Sequence, residues 1–305
     1  MPRCLVSFGA NIGNPAETIR AASTSLKTRL SGQNAEIEFQ LSRFFKTPPV
    51  GGPTGQPPFV NAVAAIESKH SVWEHWAAVR AVEAEFGRER NLRWEARKLD
   101  LDILLYEDAR IWTPQFKVPH PRMCMRRFIL EPACDVAANW VDPVSLLSLS
   151  ELAGHLRRQP VSITLLYGDS VPGMKIASSV AEISGAKICL DSDLGSVGRT
   201  AVRELRLRKV GCTDLVEMAH HDIATCEGIV VYLPPSVGER LGAWEDIHRD
   251  AAVAMNLLSA GDENAKSWRG PRYLLASDDE PWAIHELNAA YEAMDCPVEP
   301  IADDV

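Results

Sequence analysis

The sequence predicts an α/β protein in two parts: an α/β sandwich on a mostly antiparallel sheet over residues 1–158, and a smaller α/β domain over 161–305. Three observations predict it. Apolar strands and amphipathic helices follow one another as β-α-β-β-α-β up to about residue 106, the split arrangement of ferredoxin-like sandwiches. The pattern stops at Arg157-Arg158-Gln159-Pro160 and restarts with a new apolar strand at Val161–Tyr167. Charge changes at the same place. Residues 1–158 carry 20 Lys and Arg against 17 Asp and Glu, a net of +3, and the remainder carries 12 against 24, a net of −12.

Taken in order, Cys4–Phe8 is a short apolar strand, and Gly9-Ala10-Asn11-Ile12-Gly13-Asn14-Pro15 is a turn that opens a helix. Ala16–Leu30 has helical spacing. Glu36–Phe45 reads as one strand, ending at Thr47-Pro48-Pro49. The run from Val50 to Pro57 is too rich in Gly and Pro for regular structure. Phe59–Ile66 is a strand, and Val72–Phe86 a helix with Val72, Trp76, Val79, Val82 and Phe86 on one side. Trp73 and Trp76 are expected to pack that helix. An arginine-rich loop leads into a strand from Leu99, with Ala109–Trp112 as its expected hairpin partner. A helix is expected around Arg126–Cys134, and a short one from Leu149.

Hydrophobic residues make up 46% of the 305 and charged ones 24%, the balance of a globular chain with a real core. No apolar run is long enough to span a bilayer, and Met1–Gly9 lacks the features of a signal peptide. Seven cysteines (4, 124, 134, 189, 212, 226, 296) are scattered with no Cys-x-x-Cys pair. That argues against a disulfide framework or structural zinc, and for a reducing cytoplasm. The acidic second half offers little to nucleic acid, so neither nucleic acid nor membrane is an expected partner.

Residues 87–103 carry the chemistry. Four arginines (Arg88, Arg90, Arg93, Arg97) and Trp94 crowd a polar loop that runs into Leu99-Asp100-Leu101-Asp102-Ile103. On a strand Asp100 and Asp102 share one face and the leucines the other. Two carboxylates side by side suit a hard cation such as magnesium, which takes one or two carboxylates plus substrate phosphates. Guanidinium forks match phosphate oxygens. The segment reads as a magnesium–polyphosphate site. Its bland counterpart is a solvated strand face beside inert surface arginines.

The first half resembles the 6-hydroxymethyl-7,8-dihydropterin pyrophosphokinase family. The matching pieces, in order, are F-G-A-N-I-G-N at 8–14, F-K-T-P-P-V at 45–50, Q-P-P-F-V-N-A at 56–62, R-x-R…R-W…R-x-L-D-L-D-I at 88–103, V-P-H-P-R at 118–122 and R-R-F-I-L-E-P at 126–132. The resemblance implies transfer of pyrophosphate from ATP to 6-hydroxymethyl-7,8-dihydropterin in folate biosynthesis, by in-line attack with no protein nucleophile. It implies two Mg2+ ions on Asp100 and Asp102, with Arg88 and Arg97 as phosphate clamps. ATP would contact Glu83, Arg90, Ile103, His120 and Arg126. The pterin would be read by Thr47, Pro48, Val50 and Asn61, stacked by Phe59 and Phe128, and sealed in by Trp94. The 50–57 loop would be a second lid. Three departures stand out: Glu95-Ala96 where the family has Gly-Pro, Pro58 where an acidic residue is common, and Ala10 for a serine. A pterin- or ATP-binding chain without turnover is the alternative, with the second half as active module. An unrelated magnesium hydrolase is a third reading, weakened by the lack of a base near the aspartates.

The second half opens with a strand, a glycine loop and a helix. Gly168 and Gly173 have phosphate-loop spacing, but Met174 stands where the lysine belongs and Lys175 where Ser or Thr should bind magnesium. One residue turns a helical side chain by about 100°, so Lys175 is no substitute. With strands near Gly228 and Gly270 and a helix at Pro281–Met294, this half faintly resembles deoxynucleoside kinases of the thymidylate-kinase type. The expectation is a degenerate P-loop-kinase-like domain serving stability, regulation or a homo-oligomer.

Overall fold

The computed structural model describes residues 1–32, 36–53, 55–87, 98–158, 160–168, 172–190, 203–210, 228–233, 270–275 and 279–302. Its first sheet is antiparallel throughout. β1 (Arg3–Ala10) lies between β4 (Phe59–Ser68) and β5 (Asp100–Tyr106), and β4 also pairs with β2 (Ile37–Leu41) and β3 (Phe45–Thr47). The expected single strand at 36–45 is thus two. Ser42 breaks it: its backbone N–H donates to Val63 O at 2.8 Å, and its hydroxyl, in place of a backbone carbonyl, accepts from Val63 N at 2.9 Å.

α1 (Pro15–Ser31) starts where Asn14 accepts the Glu17 N–H and proline occupies the first turn. α2 (Val72–Glu85) starts from a capping box between Ser71 and Glu74. Both helices cover one face of the sheet, over a core that includes Phe8, Ile19, Leu26, Ile66, Val82 and Ile103. The hairpin expected from Ala109–Trp112 does not return to β5. Instead β6 (Ile111–Trp112) pairs with β7 (Lys117–Val118) in a separate ribbon.

α3 (Arg127–Ala137) and α4 (Leu149–Arg157), the latter started by a Ser148–Glu151 capping box, lie on the other face. Their core runs without a break from Val63, Leu104 and Leu130 into Ile163, Leu287 and Tyr291. Ile163 belongs to a second sheet that is wholly parallel, and Leu287 and Tyr291 to the helix beside it. The sheet contains β8 (Ser162–Tyr167), β9 (Lys187–Leu190), β10 (Glu204–Lys209), β11 (Ile229–Leu233) and β12 (Arg272–Leu274), in the order β9-β10-β8-β11-β12. α5 (Gly173–Ser184) packs against α6 (Glu280–Asp295) beside it. The chain then returns to the first sheet. β13 (Glu299–Pro300) pairs with β3, and Ile301 N donates to Phe44 O at 2.8 Å. No described helix is long and apolar enough to cross a membrane.

Candidate active site

Directly opposed residues on an antiparallel sheet point to the same side. One row runs across three strands: Asn61 on β4 faces Gly9 on β1, which faces Asp100 on β5. Strand spacing puts Asn61 and Asp100 roughly 10 Å apart. Gly9 keeps the space between them open, because a Cβ there would meet Asn61 Oδ1 at 3.3 Å. In the next row but one of β1, Ser7 faces Asp102. All these side chains lie on the α3 side, since Val63 and Leu104 continue the same alternation into the core beneath α3.

The segment after β7 brings a histidine to the acidic pair. His120 Nε2 sits 3.7 Å from Asp102 Oδ2, and its backbone N–H is held by Leu104 O at 2.9 Å. The Arg122 N–H donates to His120 Nδ1 at 3.2 Å, so the neutral ring carries its proton on Nε2, toward Asp102. Burial pushes the His120 pKa well below the usual histidine range, and the charges of Arg126 and Arg122 push the same way. Arg126 is lowered to about 10, chiefly by burial and next by Arg122; the charges of Asp102 and Asp100 oppose this. It remains a cation at neutral pH, its guanidinium over the Phe128 ring at 5.6 Å.

To one side of Asp102 opens a cavity of about 310 Å³. Glu83, Ile103, Asp102 and His120 line it, so three of the five residues expected from the sequence to contact ATP and one expected to hold metal come together there. Glu83 is nearly fully buried and one oxygen accepts the Leu101 N–H at 3.1 Å, so it also fixes the start of β5. Aromatic rings crowd the cavity: Trp76, Trp112 and Phe116, with Trp76 and Phe116 centroids 5.3 Å apart. Trp76 is more than helix packing.

On the other side of Gly9, Asn61 Nδ2 donates to Thr47 Oγ1 at 2.8 Å, both side chains buried. Thr47 faces Phe59, and α3, which carries Phe128, packs on β3 and β4. Pro48 is exposed and Val50 half-buried. Asn11, given no role from the sequence, holds the 50–57 loop: its amide donates to Pro57 O at 3.2 Å and Gln56 Oε1 at 3.4 Å. Arg88, Arg90, Trp94 and Arg97, with Glu95 and Ala96, lie outside the described residues.

The donor set fits magnesium. Two hard carboxylates share a face, Asp102 is 37% exposed, and Arg126 beside them supplies a cation for phosphates. Among the described residues, no cluster of three or more His, Cys, Asp or Glu forms an all-protein metal cage. Magnesium is ordinarily held by one or two carboxylates, with substrate oxygens completing the shell.

An acidic pair on an antiparallel α/β sandwich stands between an aromatic-walled cavity and the buried Asn61–Thr47 amide pair. The chain belongs to the 7,8-dihydro-6-hydroxymethylpterin-pyrophosphokinase (HPPK) family, whose profile matches residues 5–138. It is 39% identical over 139 residues to the 2-amino-4-hydroxy-6-hydroxymethyldihydropteridine pyrophosphokinase of Pseudomonas aeruginosa, covering 44% of this chain and 80% of that protein. The enzyme of the same name from Haemophilus influenzae is 36% identical over 140 residues, covering 46% and 84%. Among solved structures, the wild-type Plasmodium falciparum HPPK-DHPS aligns with 76% of this chain and 64% of its own at a TM-score of 0.39 and 10% identity.

Proposed function

We propose that this chain transfers pyrophosphate from ATP to 6-hydroxymethyl-7,8-dihydropterin, releasing AMP, as a step of folate synthesis. The observation that carries it is the row Asn61–Gly9–Asp100, which sets an amide reader and a carboxylate on one face with an open gap between. In this reading the Thr47–Asn61 pair and the Val50 backbone read the pterin's donor–acceptor edge, with Phe59 and Phe128 on its ring and Pro48 at the rim. The nucleotide lies in the cavity walled by Glu83 and Ile103. His120 donates its Nε2–H to a phosphate oxygen, and Arg126 adds a fixed positive charge. Arg88 and Arg97 clamp the phosphates, with Arg90 on the triphosphate and Trp94 closing over the pterin. Asp100 and Asp102 would hold two magnesium ions, which when bound neutralise phosphate charge and favour in-line attack at the β-phosphorus. No protein nucleophile is required, and positioning with electrostatics does the work.

We place the chain in the cytoplasm, on the free thiols of Cys4, Cys124, Cys134, Cys189 and Cys296. For residues 161–305 we retain the kinase-like reading. The strand order, with the first strand central and two parallel neighbours on each side, supports it, and its phosphate-loop chemistry is degenerate. Lys175 is spent on Glu280 at 2.8 Å, and Gly173 is required by packing, since a Cβ would strike the Tyr167 ring at 2.5 Å.

The test is AMP formation from magnesium-ATP with and without the pterin. AMP formed only with the pterin is expected; no AMP from the wild-type chain refutes transfer. Asp102→Ala should cut turnover about a thousandfold or more, the several kcal/mol of charge stabilisation a metal site supplies. Near-normal turnover in that variant would overturn the metal assignment.

A further inference from the structure

The nucleotide cavity is not closed by the first half of the chain alone. Its far wall is Tyr273, Leu274 and Leu275, at and just after β12, together with Trp282 in the first turn of α6. These residues lie far beyond the matched stretch 5–138. We propose that the second half of the chain completes the ATP site, with Trp282 contacting the purine base and setting nucleotide affinity. This rests on the cavity being the nucleotide pocket.

The wall is held where it stands by bonds that lead back to the acidic pair. Glu286, 2% exposed, accepts from Arg122 Nη2 at 2.6 Å and from the Tyr273 hydroxyl at 3.2 Å. Arg122 in turn holds the His120 ring, which stands beside Asp102. Cys124 Sγ contacts Arg272 O at 3.3 Å, closing the same seam. The second half is thereby locked to the one loop that carries His120, so its wall keeps its distance from the phosphate end.

The chemistry of the walls assigns the occupant. Asp102, through the magnesium it would hold, and the His120 Nε2–H mark a polar end suited to phosphates. Trp282, with Trp76 and Trp112, gives flat apolar faces, which suit a heteroaromatic ring and not a second phosphate. The volume is at the lower end for small-molecule sites, enough for a base and sugar. Trp282 is also placed by local structure: Pro281 sits in the first turn of the helix and the Asp279 side chain accepts the Trp282 N–H at 3.4 Å. Its ring lies 5.4 Å from that of His285, one turn on.

The experiment compares the full chain with Trp282→Ala and Trp282→Phe, reading the calorimetric Kd for magnesium-ATP and both Michaelis constants. Losing one stacking face should weaken ATP about tenfold in Trp282→Ala, with the pterin KM unmoved and Trp282→Phe within about threefold of wild type. ATP quenching of tryptophan fluorescence should shrink in Trp282→Phe, a variant that keeps the packing. An unchanged ATP Kd in folded Trp282→Ala, or undiminished quenching in Trp282→Phe if the alanine variant fails to fold, overturns the inference. A wild-type chain that binds no ATP would instead sink the functional reading beneath it.

Discussion

The two sheets solve the same packing problem in different ways, and the difference decides where each can keep polar chemistry. The antiparallel sheet alternates its side chains, so its α3 face carries apolar Val63 and Leu104 inward and leaves Asn61, Asp100 and Asp102 toward its end. The parallel sheet buries apolar residues from several strands, among them Ile163, Leu165, Leu205, Val231 and Tyr232. Ligands of such sheets bind beyond the carboxyl ends of the strands. After β8 that place is taken up by Tyr167 against Gly173 and by the Lys175–Glu280 pair. The charged groups of α6 work sideways instead. Glu286 binds Arg122, and Glu292 accepts the Gly51 N–H at 2.8 Å. The first half leaves polar groups at the end of its sheet, and the second spends Glu286 and Glu292 on the first.

Acid should strain the first half through a group the site does not use. His75, fully buried on the inner side of α2, shares a 2.9 Å hydrogen bond with Ser68, and its Nδ1 has no hydrogen-bond partner among the described residues. Burial lowers its pKa to about 4, the charge of His70 adding to this and Glu74 opposing it. A depressed histidine contributes stability above the unfolded value near 6.5 and loses it as pH falls from there through about 4. The loss should reach on the order of 3 kcal/mol. Urea unfolding at pH 7, 5.5 and 4 measures it, and His75→Gln should flatten that limb; an equally steep loss in the variant would show that other groups carry it.

Glu286→Ala tests the seam between the sheets. It removes the carboxylate that pairs with Arg122, whose side chain is 26% exposed, so the cost should be below that of a fully buried pair, about 2 kcal/mol. The same change should raise the KM for ATP several-fold, because both Tyr273 and the Arg122–His120 link lose their anchor. Stability lost with the ATP KM unchanged would separate the seam from the nucleotide pocket.

Much of the first half was readable because its signals are local. Asn14-Pro15 and Ser71 with Glu74 start helices by capping geometry, and the Asp-Leu-Asp alternation fixes a shared face. The break at Ser42 was not readable, since it depends on a hydroxyl reaching Val63 across the sheet. Nor was the partner of Ile111–Trp112, where the strand pattern is only two residues long and several pairings satisfy it. Asn11 and Trp76 could be seen as motif and helix members, but their contacts with the 50–57 loop and the cavity arise only in the fold. The wall made by Tyr273, Leu274, Leu275 and Trp282 had no signal at all, because it depends on two sequence-distant halves meeting.

Lys175 gives the mildest test and sharpens the contrast most. A working phosphate loop needs a lysine aimed at the ligand; here Lys175 bonds Glu280 at the surface, its side chain 69% exposed. Exposed pairs of this kind contribute about 0.5 kcal/mol or less. Lys175→Met should therefore leave the urea midpoint nearly unmoved and the ATP Kd unchanged. If the second half instead kept a triphosphate site of its own, the same variant would remove a second ATP from the calorimetric stoichiometry. A stoichiometry of one before and after the change places all nucleotide binding in the cavity beside Asp102, where the second half acts as a wall.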